Sequence, residues 1–180
     1  MTTPAEPAQP VQSAQPVQPD KFEKFTAVAR RALTLSEQEA KWLNQPQIST
    51  LHMLLGILQV DESRAMAMLR ESHIDLSALR AEIEARCVPN THDEPHVTRT
   101  ITSPVRSVLE LAVIEARRFG HHYVGTEHLL LGLAQVGGAA AYLTGAGLDL
   151  EQARRMAASP PPPPAPPPAT PPPPTSEPTG

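Results

Sequence analysis

The sequence predicts an all-α fold built from a duplicated four-helix unit. Residues 49–60 read STLHMLLGILQV, and residues 125–136, 76 positions later, read GTEHLLLGLAQV. Setting residues 25–60 over 101–136 at this constant offset gives 13 identical pairs among 36 without a gap. A unit of about 70 residues is longer than the usual solenoid repeats, so we expect two helical lobes related by a pseudo-twofold axis.

The first helix of each unit is predicted from periodicity and end signals. Residues 26–43 place Ala29, Leu33 and Ala40 on one stripe with the 3.6-residue period of an amphipathic helix. The matching helix is expected to start at Ser103-Pro104, a cap residue followed by proline at the first helical position. The two helices should end at Asn44 and Gly120, residue types that tolerate the left-handed conformation after a helix.

Three further helices are expected in each unit. Thr50 and Thr126 are predicted to cap a short, very apolar second helix. After a two-residue deletion the match resumes, and Asp75 and Asp149 are predicted to cap the fourth helices. Third helices are expected near residues 62–72 and 138–145. We expect repeat one to span residues 25–87, a connector to span 88–100, and repeat two to span 101–158.

Both ends of the chain have compositions typical of disordered segments. Residues 1–20 contain no apolar run, and residues 159–180 hold 13 of the 22 prolines. Such segments bury too little apolar surface to offset the entropy of ordering, and the proline-rich one favours an extended polyproline II conformation. We therefore expect one compact domain at 21–158 between two disordered tails.

Charge and cysteine content limit the partners and the compartment. Residues 21–158 contain 15 basic and 16 acidic residues, so the domain lacks the basic surface that nucleic-acid binding usually requires. The sequence has no secretory leader pattern and no apolar run long enough for a membrane span. With Cys87 as its single cysteine, the chain forms no internal disulfide, which favours a cytoplasmic setting.

Three stretches resemble a known family. FTAVARRALTLSEQEA, ITSPVRSVLELAVIEARRFGHHYVGTEHLLLGL and AGLDLEQAR are similar to the duplicated N-terminal domain of the Clp ATPases, especially the ClpC type. The resemblance covers residues 22–157 and implies an eight-helix domain that receives substrates and adaptors for an unfoldase of a protease. The chain stops after this domain, so we expect a stand-alone protein without ATPase modules, without catalytic residues and without a cofactor.

A search for a nucleotide site supports that expectation. Gly120 and Gly125 have the G-x4-G spacing of a phosphate-binding loop. Thr126-Glu127 follows where that loop requires Lys-Ser/Thr. The sequence therefore predicts no nucleotide-binding loop at this position.

The ClpC resemblance also implies recognition of phosphoarginine, a degradation mark. In that family the Glu of each GTEH motif engages the guanidinium, and the start of the repeat's first helix helps to hold the phosphate. Glu127 matches the carboxylate, with Thr102 opening the nearby helix, whereas the equivalent Leu51 accepts no hydrogen bond. The alternative for Glu127 is a purely structural role in the first turn of a helix, where it complements the dipole.

The helix starts depart from the family pattern, which usually has Arg two residues after the Thr. Val28 and Pro104 occupy these positions. Arg30 and Arg106, two residues further on, are the substitutes, although two residues turn a side chain by about 200° around a helix. The candidate contact residues are Glu127, Thr126, Thr102 and Arg106 in repeat two and Thr26, Arg30, Phe22 and Phe25 in repeat one.

Several other residues invite a functional interpretation that we weigh against a structural one. Phe22 and Phe25 lie where relatives expose an apolar binding surface, yet a hydrophobic staple before the first helix explains Phe25 equally well. His52 and His128 are expected to bond a helix-start amide or a neighbouring carbonyl. The HDEPH stretch at 92–96 is interpreted as a connector loop without metal-ligand spacing.

The family resemblance and the proline-rich tail each suggest a function. The first is a non-catalytic module that binds substrate polypeptides or adaptors of a Clp protease and either delivers or sequesters them. The alternative is a scaffold protein that recruits a partner through its proline-rich tail, because polyproline segments are ligands for aromatic grooves.

Overall fold

The computed structural model describes residues 23–89 and 99–159. In these two ranges the chain forms eight α-helices and two strands of two residues each, so the predicted all-α architecture is confirmed. The elements are α1 (Ala27–Trp42), β1 (Gln47–Ile48), α2 (Thr50–Leu58), α3 (Arg64–Glu71), α4 (Leu76–Arg86), β2 (Thr100–Ile101), α5 (Ser103–Arg118), α6 (Thr126–Leu133), α7 (Gly138–Gly145) and α8 (Leu150–Ala158).

Most of the predicted helix ends are confirmed. Asp75 and Asp149 cap α4 and α8, each accepting hydrogen bonds from amides of the first turn. Asn44 and Gly120 have φ angles of 52° and 71°, the left-handed conformation expected after α1 and α5. At the start of α1, the Thr26 hydroxyl accepts a hydrogen bond from the Ala29 amide at 3.1 Å.

Three predicted cap positions are wrong by one residue. The N-cap of α5 is Thr102, so Ser103 is already helical and Pro104 is the second residue of the helix. The N-caps of α2 and α6 are Ser49 and Gly125. Thr50 and Thr126 are the first helical residues, and their hydroxyls are used elsewhere in the fold.

The residues before the helices pair across the two repeats. β1 and β2 form a parallel pair in which Ile48 lies opposite Ile101, and Phe25 forms the equivalent bridge with Val124. Positions 25 and 101, and positions 48 and 124, correspond at the repeat offset. These two pairings are therefore related by the pseudo-twofold axis, and each brings the start of one repeat's first helix to the start of the other repeat's second helix.

The two threonines that begin α2 and α6 also act across this axis. The Thr126 hydroxyl accepts a hydrogen bond at 3.2 Å from the amide of Ala65, at the start of α3. The Thr50 hydroxyl accepts the equivalent bond at 3.4 Å from the amide of Ala139, at the start of α7. Each repeat thus satisfies a helix-start amide of the other, which explains why threonine is identical in both copies.

The core lies around α2 and α6. All eight residues of α6 are buried, and in α2 every residue except Leu51 is buried. This explains why the sequence of these helices is apolar on all sides rather than on one stripe. Among the described helices, none combines the length and apolar composition that a bilayer crossing requires.

Candidate functional site

A cavity of about 300 Å³ lies where α1 and α6 begin side by side. The bridge between Phe25 and Val124 brings these two helix starts together. The cavity is lined by residues of both repeats, which include Thr26, Val28, Arg64, Tyr123, Glu127 and Ser159.

Glu127 is the second residue of α6, and its side chain is 8% exposed. The carboxylate folds back over the start of its own helix and accepts a hydrogen bond from its own backbone amide. A β-carbon placed on Gly125 would collide with Cδ and both carboxylate oxygens of Glu127. Glycine at the N-cap is therefore what leaves room for the carboxylate, whereas repeat one combines Ser49 with the hydrocarbon Leu51.

The electrostatics of the cavity are set by burial of that carboxylate. Burial raises the pKa of Glu127, although the backbone hydrogen bond and the nearby His121 and Arg64 oppose the rise. Burial also raises the pKa of Tyr123, and the negative charge of Glu127 adds to that rise while Arg64 opposes it. Burying a carboxylate costs free energy unless a cation pairs with it. The cavity therefore favours a ligand that supplies positive charge.

A ring stack, formed by Tyr123, His121 and His128, lies beside Glu127. The amide of Gly125 donates to Nδ1 of His128 at 2.9 Å, and Nε2 of His128 lies 2.9 Å from Nδ1 of His121. His121 in turn stacks on Tyr123 with ring centroids 5.1 Å apart. Burial lowers the pKa of His128 to about 4, and the charge of His121 contributes to this shift. His128 is therefore neutral near pH 7.

The structural role predicted for the two repeated histidines is confirmed. In repeat one, the Ser49 amide donates to Nδ1 of His52 at 3.0 Å, as the Gly125 amide does to His128. Burial lowers the pKa of His52 as well, so this ring is also neutral near pH 7. Both rings satisfy an otherwise unpaired amide where the apolar helix begins.

The ring stack resembles a metal site in composition but not in proton arrangement. Candidate ligand atoms of His121, Glu127 and His128 lie within 4.8 Å of one another. Because Nδ1 of His128 accepts from Gly125, its Nε2 must hold the proton of the neutral ring and donate it to His121. Neither nitrogen of His128 then offers a lone pair to a metal, so the arrangement fits a hydrogen-bonded support.

The structure changes the pairing expected from the resemblance. Thr102 opens α5 and donates its amide to the carbonyl of Ile48 at 3.1 Å, which places it at the start of α2 with Leu51. Thr26 makes the equivalent bond to Val124 and lines the cavity with Glu127. The helix start beside Glu127 is therefore that of repeat one, because the pseudo-twofold axis exchanges the first helices.

The remaining predicted contact residues fall in different places. Thr126 lines the cavity, although its hydroxyl accepts from Ala65. Arg30 and Arg106 are exposed on α1 and α5 and are not among the lining residues. Phe25 is buried in the core rather than presented on a surface. Phe22 lies outside the described residues, as does the HDEPH stretch at 92–96.

Sequence reasoning missed Arg64, the first residue of α3, which lines the cavity from repeat one. The sequence did contain a difference that could have pointed to Arg64, because the equivalent residue of repeat two is Gly138. The difference becomes meaningful only when α3 is known to pack beside α6 of the other repeat.

Comparison with known proteins matches this architecture. Residues 24–158 match the family described as Clp repeat (R) N-terminal domain. The chain belongs to this family. The helices, the internal repeat and the cavity described above are therefore features of a Clp N-domain.

Among similar proteins, the chaperone protein ClpB of Oceanobacillus iheyensis is 37% identical over 133 residues. The negative regulator of genetic competence ClpC/MecB of Bacillus subtilis is 36% identical over 133 residues. These matches cover 73% of this chain but only 16% of either relative. The crystal structure of the N-terminal domain of ClpD from Arabidopsis thaliana superposes with a TM-score of 0.57 at 26% identity, covering 76% of this chain and 96% of that one.

Proposed function

We propose that this Clp N-domain is a non-catalytic binding module of the Clp protease system, which binds substrate polypeptides or adaptors and delivers or sequesters them. Two relatives that share its repeat are named as the chaperone protein ClpB and the negative regulator of genetic competence ClpC/MecB. The cavity presents the Glu127 carboxylate and the Arg64 guanidinium, which are groups suited to binding a charged ligand.

We further propose that the cavity binds the guanidinium group of a phosphoarginine-marked segment. The observation that supports this is the buried Glu127 carboxylate: its oxygen lies 3.5 Å from the His128 ring, which is neutral near pH 7 and therefore supplies no positive charge. A guanidinium ligand would give this carboxylate the two parallel hydrogen bonds that it lacks. The equivalent end of the domain has Leu51, so one ligand should bind per chain.

Calorimetric titration with phosphoarginine tests this proposal. The wild-type chain should bind with a stoichiometry of one, and Glu127→Gln, which keeps the size of the side chain, should weaken binding at least about tenfold. Affinity should also fall as the pH is lowered through the raised pKa of Glu127, because the protonated carboxyl loses its charge. Unchanged affinity in Glu127→Gln would remove the site.

The repeat offers a matched pair of variants for the pairing of helix starts. Thr26 lines the cavity and Thr102 is its equivalent at the Leu51 end. Thr26→Ala should therefore weaken phosphoarginine binding by several-fold, and Thr102→Ala should leave it unchanged. The reverse result would show that the ligand binds at the opposite end of the domain.

A pulldown from a cell lysate tests the broader function. Wild-type protein should recover protein clients or a Clp component, and Glu127→Ala should recover fewer clients that bear the mark. Recovery of neither clients nor Clp components by the wild type would contradict the binding-module function. Recovery that depends on residues 159–180 instead of Glu127 would favour a scaffold acting through the proline-rich tail.

A further inference from the structure

Arg64 brings a positive charge into the Glu127 cavity from the other repeat. It is the first residue of α3, and its side chain is only 14% exposed. Arg64 lines the same cavity as Glu127 and Tyr123, and its charge acts on both of these groups. No position on α1 supplies this charge to the cavity, because Val28 is the α1 side chain that lines it.

The contacts of Arg64 hold its side chain in place but do not engage all of its N–H donors. Nη2 donates to the carbonyl of Met156 in α8 at 2.8 Å, and Nη1 lies 3.9 Å from the carboxylate of Glu71. A guanidinium has five N–H groups, of which these contacts engage one at hydrogen-bond distance and one loosely. Within the described part of the chain, Arg64 and Glu127 line the same cavity and form no ion pair with each other.

The internal repeat shows that the two charges occur together. At the opposite end of the domain the equivalents of Arg64 and Glu127 are Gly138 and Leu51. These two are also neighbours, since a β-carbon placed on Gly138 would lie 3.8 Å from Cδ2 of Leu51. One end of the pseudo-twofold axis therefore has both charged groups, and the other end has neither.

We propose that Arg64 is the anion-binding residue of this cavity and contacts the phosphoryl group of phosphoarginine while Glu127 contacts the guanidinium. This inference rests on the proposed function. The ligand has a negative and a positive group bonded to each other, and the cavity presents Arg64 and Glu127, which are not paired with each other. The other charged side chain of the lining, Glu62, pairs with Arg31 at 2.7 Å. Arg64 thereby supplies from α3 the cation that Val28 does not supply from α1. If Arg64 were only an internal counterion for Glu127, it would compete with the ligand.

Calorimetry with two ligands separates these roles. Phosphoarginine and free arginine are titrated into the wild-type chain, into Arg64→Met, which keeps the apolar stem, and into Arg70→Met as a control. Arg70 lies on the same helix and pairs with Asp61 at the surface. Arg64→Met should lose at least about tenfold in affinity for phosphoarginine and change less than about twofold for arginine. Arg70→Met should match the wild type for both ligands.

Other outcomes overturn the inference in distinguishable ways. Wild-type affinity for phosphoarginine in Arg64→Met overturns the role of Arg64 and leaves the proposed function intact. Tighter binding of both ligands by Arg64→Met shows an internal counterion. No binding of phosphoarginine by the wild type overturns the proposed function and this inference together.

A second variant covers a loss of folding in Arg64→Met, which thermal melting will detect. Arg64→Lys keeps the positive charge but loses the planar fork that matches a phosphoryl group. It should fold, bind arginine as the wild type does, and bind phosphoarginine several-fold more weakly. Full phosphoarginine affinity in a folded Arg64→Lys would show that a point charge suffices and would contradict direct contact by the fork.

Discussion

Glu127 is a residue whose burial opposes the stability of the fold. Burial raises the pKa of its carboxyl, so the folded state takes up a proton more readily than the unfolded chain does. The stabilising contribution of the carboxyl is therefore fully present below its unfolded pKa and is lost as the pH rises through the folded pKa. Leu51 at the equivalent position has no such dependence, which shows that the fold itself does not require a carboxylate there.

Replacing Glu127 by glutamine should stabilise the protein at neutral pH. The amide keeps the hydrogen bond to the helix start but has no charge to bury. We expect Glu127→Gln to melt a few degrees above the wild type at pH 7 and at nearly the same temperature at pH 4. Thermal melts at both pH values check this, with the exposed Glu110→Gln as the control. A lower melting temperature for Glu127→Gln at pH 7 would show that the carboxylate is held by a favourable partner.

At the scale of elements, identical residues in the two repeats mark where helices contact each other. Gln59 donates to Glu39 at 2.7 Å, and Gln135 donates to Glu115 at 3.2 Å, so the same bond joins the first and second helices of each repeat. Gly56, which is identical with Gly132, lies where α2 crosses α1 too closely for a side chain. The sequence identities predicted a duplication, and the contacts give the physical reason for these identical glutamine, glutamate and glycine pairs.

Gly56→Ala tests the close crossing of α1 and α2. A β-carbon at Gly56 would meet backbone atoms of Ala32 and Ser36, the latter at 2.7 Å, and backbone cannot move aside as a side chain can. We expect a loss of about 2 kcal/mol in the free energy of unfolding. Gly145, at the end of α7, has open space around it, so Gly145→Ala should be neutral or stabilising by up to about 1 kcal/mol. Chemical denaturation of the two variants checks both values, and equal effects would contradict the close crossing.

Arg154 and Arg80 are equivalent residues with different energetic roles. Arg154 joins α8 to α5 by donating to Glu115 at 2.6 Å, where the Glu115 side chain is 3% exposed. Arg154→Leu removes the close cation of that buried carboxylate, leaves only Arg118 at 3.9 Å, and should cost about 3 kcal/mol of unfolding free energy. Arg80 pairs with Glu84 at the surface of α4, so Arg80→Leu should cost less than about 0.5 kcal/mol. Denaturant titrations that gave similar costs for both would contradict a special role for the buried pair.

At the scale of the whole molecule, neither repeat is complete without the other. The strand pairs, the Thr50 and Thr126 hydroxyls and the shared core all cross the pseudo-twofold axis. The cavity itself combines α1 and α3 of repeat one with α6 of repeat two. The structural unit is therefore the pair of repeats, even though the sequence presents them as consecutive copies.

A fragment of residues 23–89 should consequently fail to fold on its own. Its α2 would expose apolar residues that α5 and α6 cover in the complete chain, and the helix-start amide of Ala65 would lose its threonine partner. We expect the complete chain to unfold in one cooperative transition and the fragment to show no cooperative transition in a circular dichroism melt. A cooperative melt of the fragment would show that the repeats are independent lobes.

The sequence by itself determined the fold class, the four helices of each repeat and the asymmetry between Glu127 and Leu51. These follow from periodicity, capping residues and identity at a fixed offset, which are local properties of the chain. Only the tertiary structure decided that Glu127 lies with Thr26 rather than Thr102, and that Arg64 enters the same cavity. The reason is that the pseudo-twofold axis exchanges elements between the repeats, so neighbours in space are distant in the chain. The burial that raises the pKa of Glu127 depends on the same packing, which no local pattern of residues specifies.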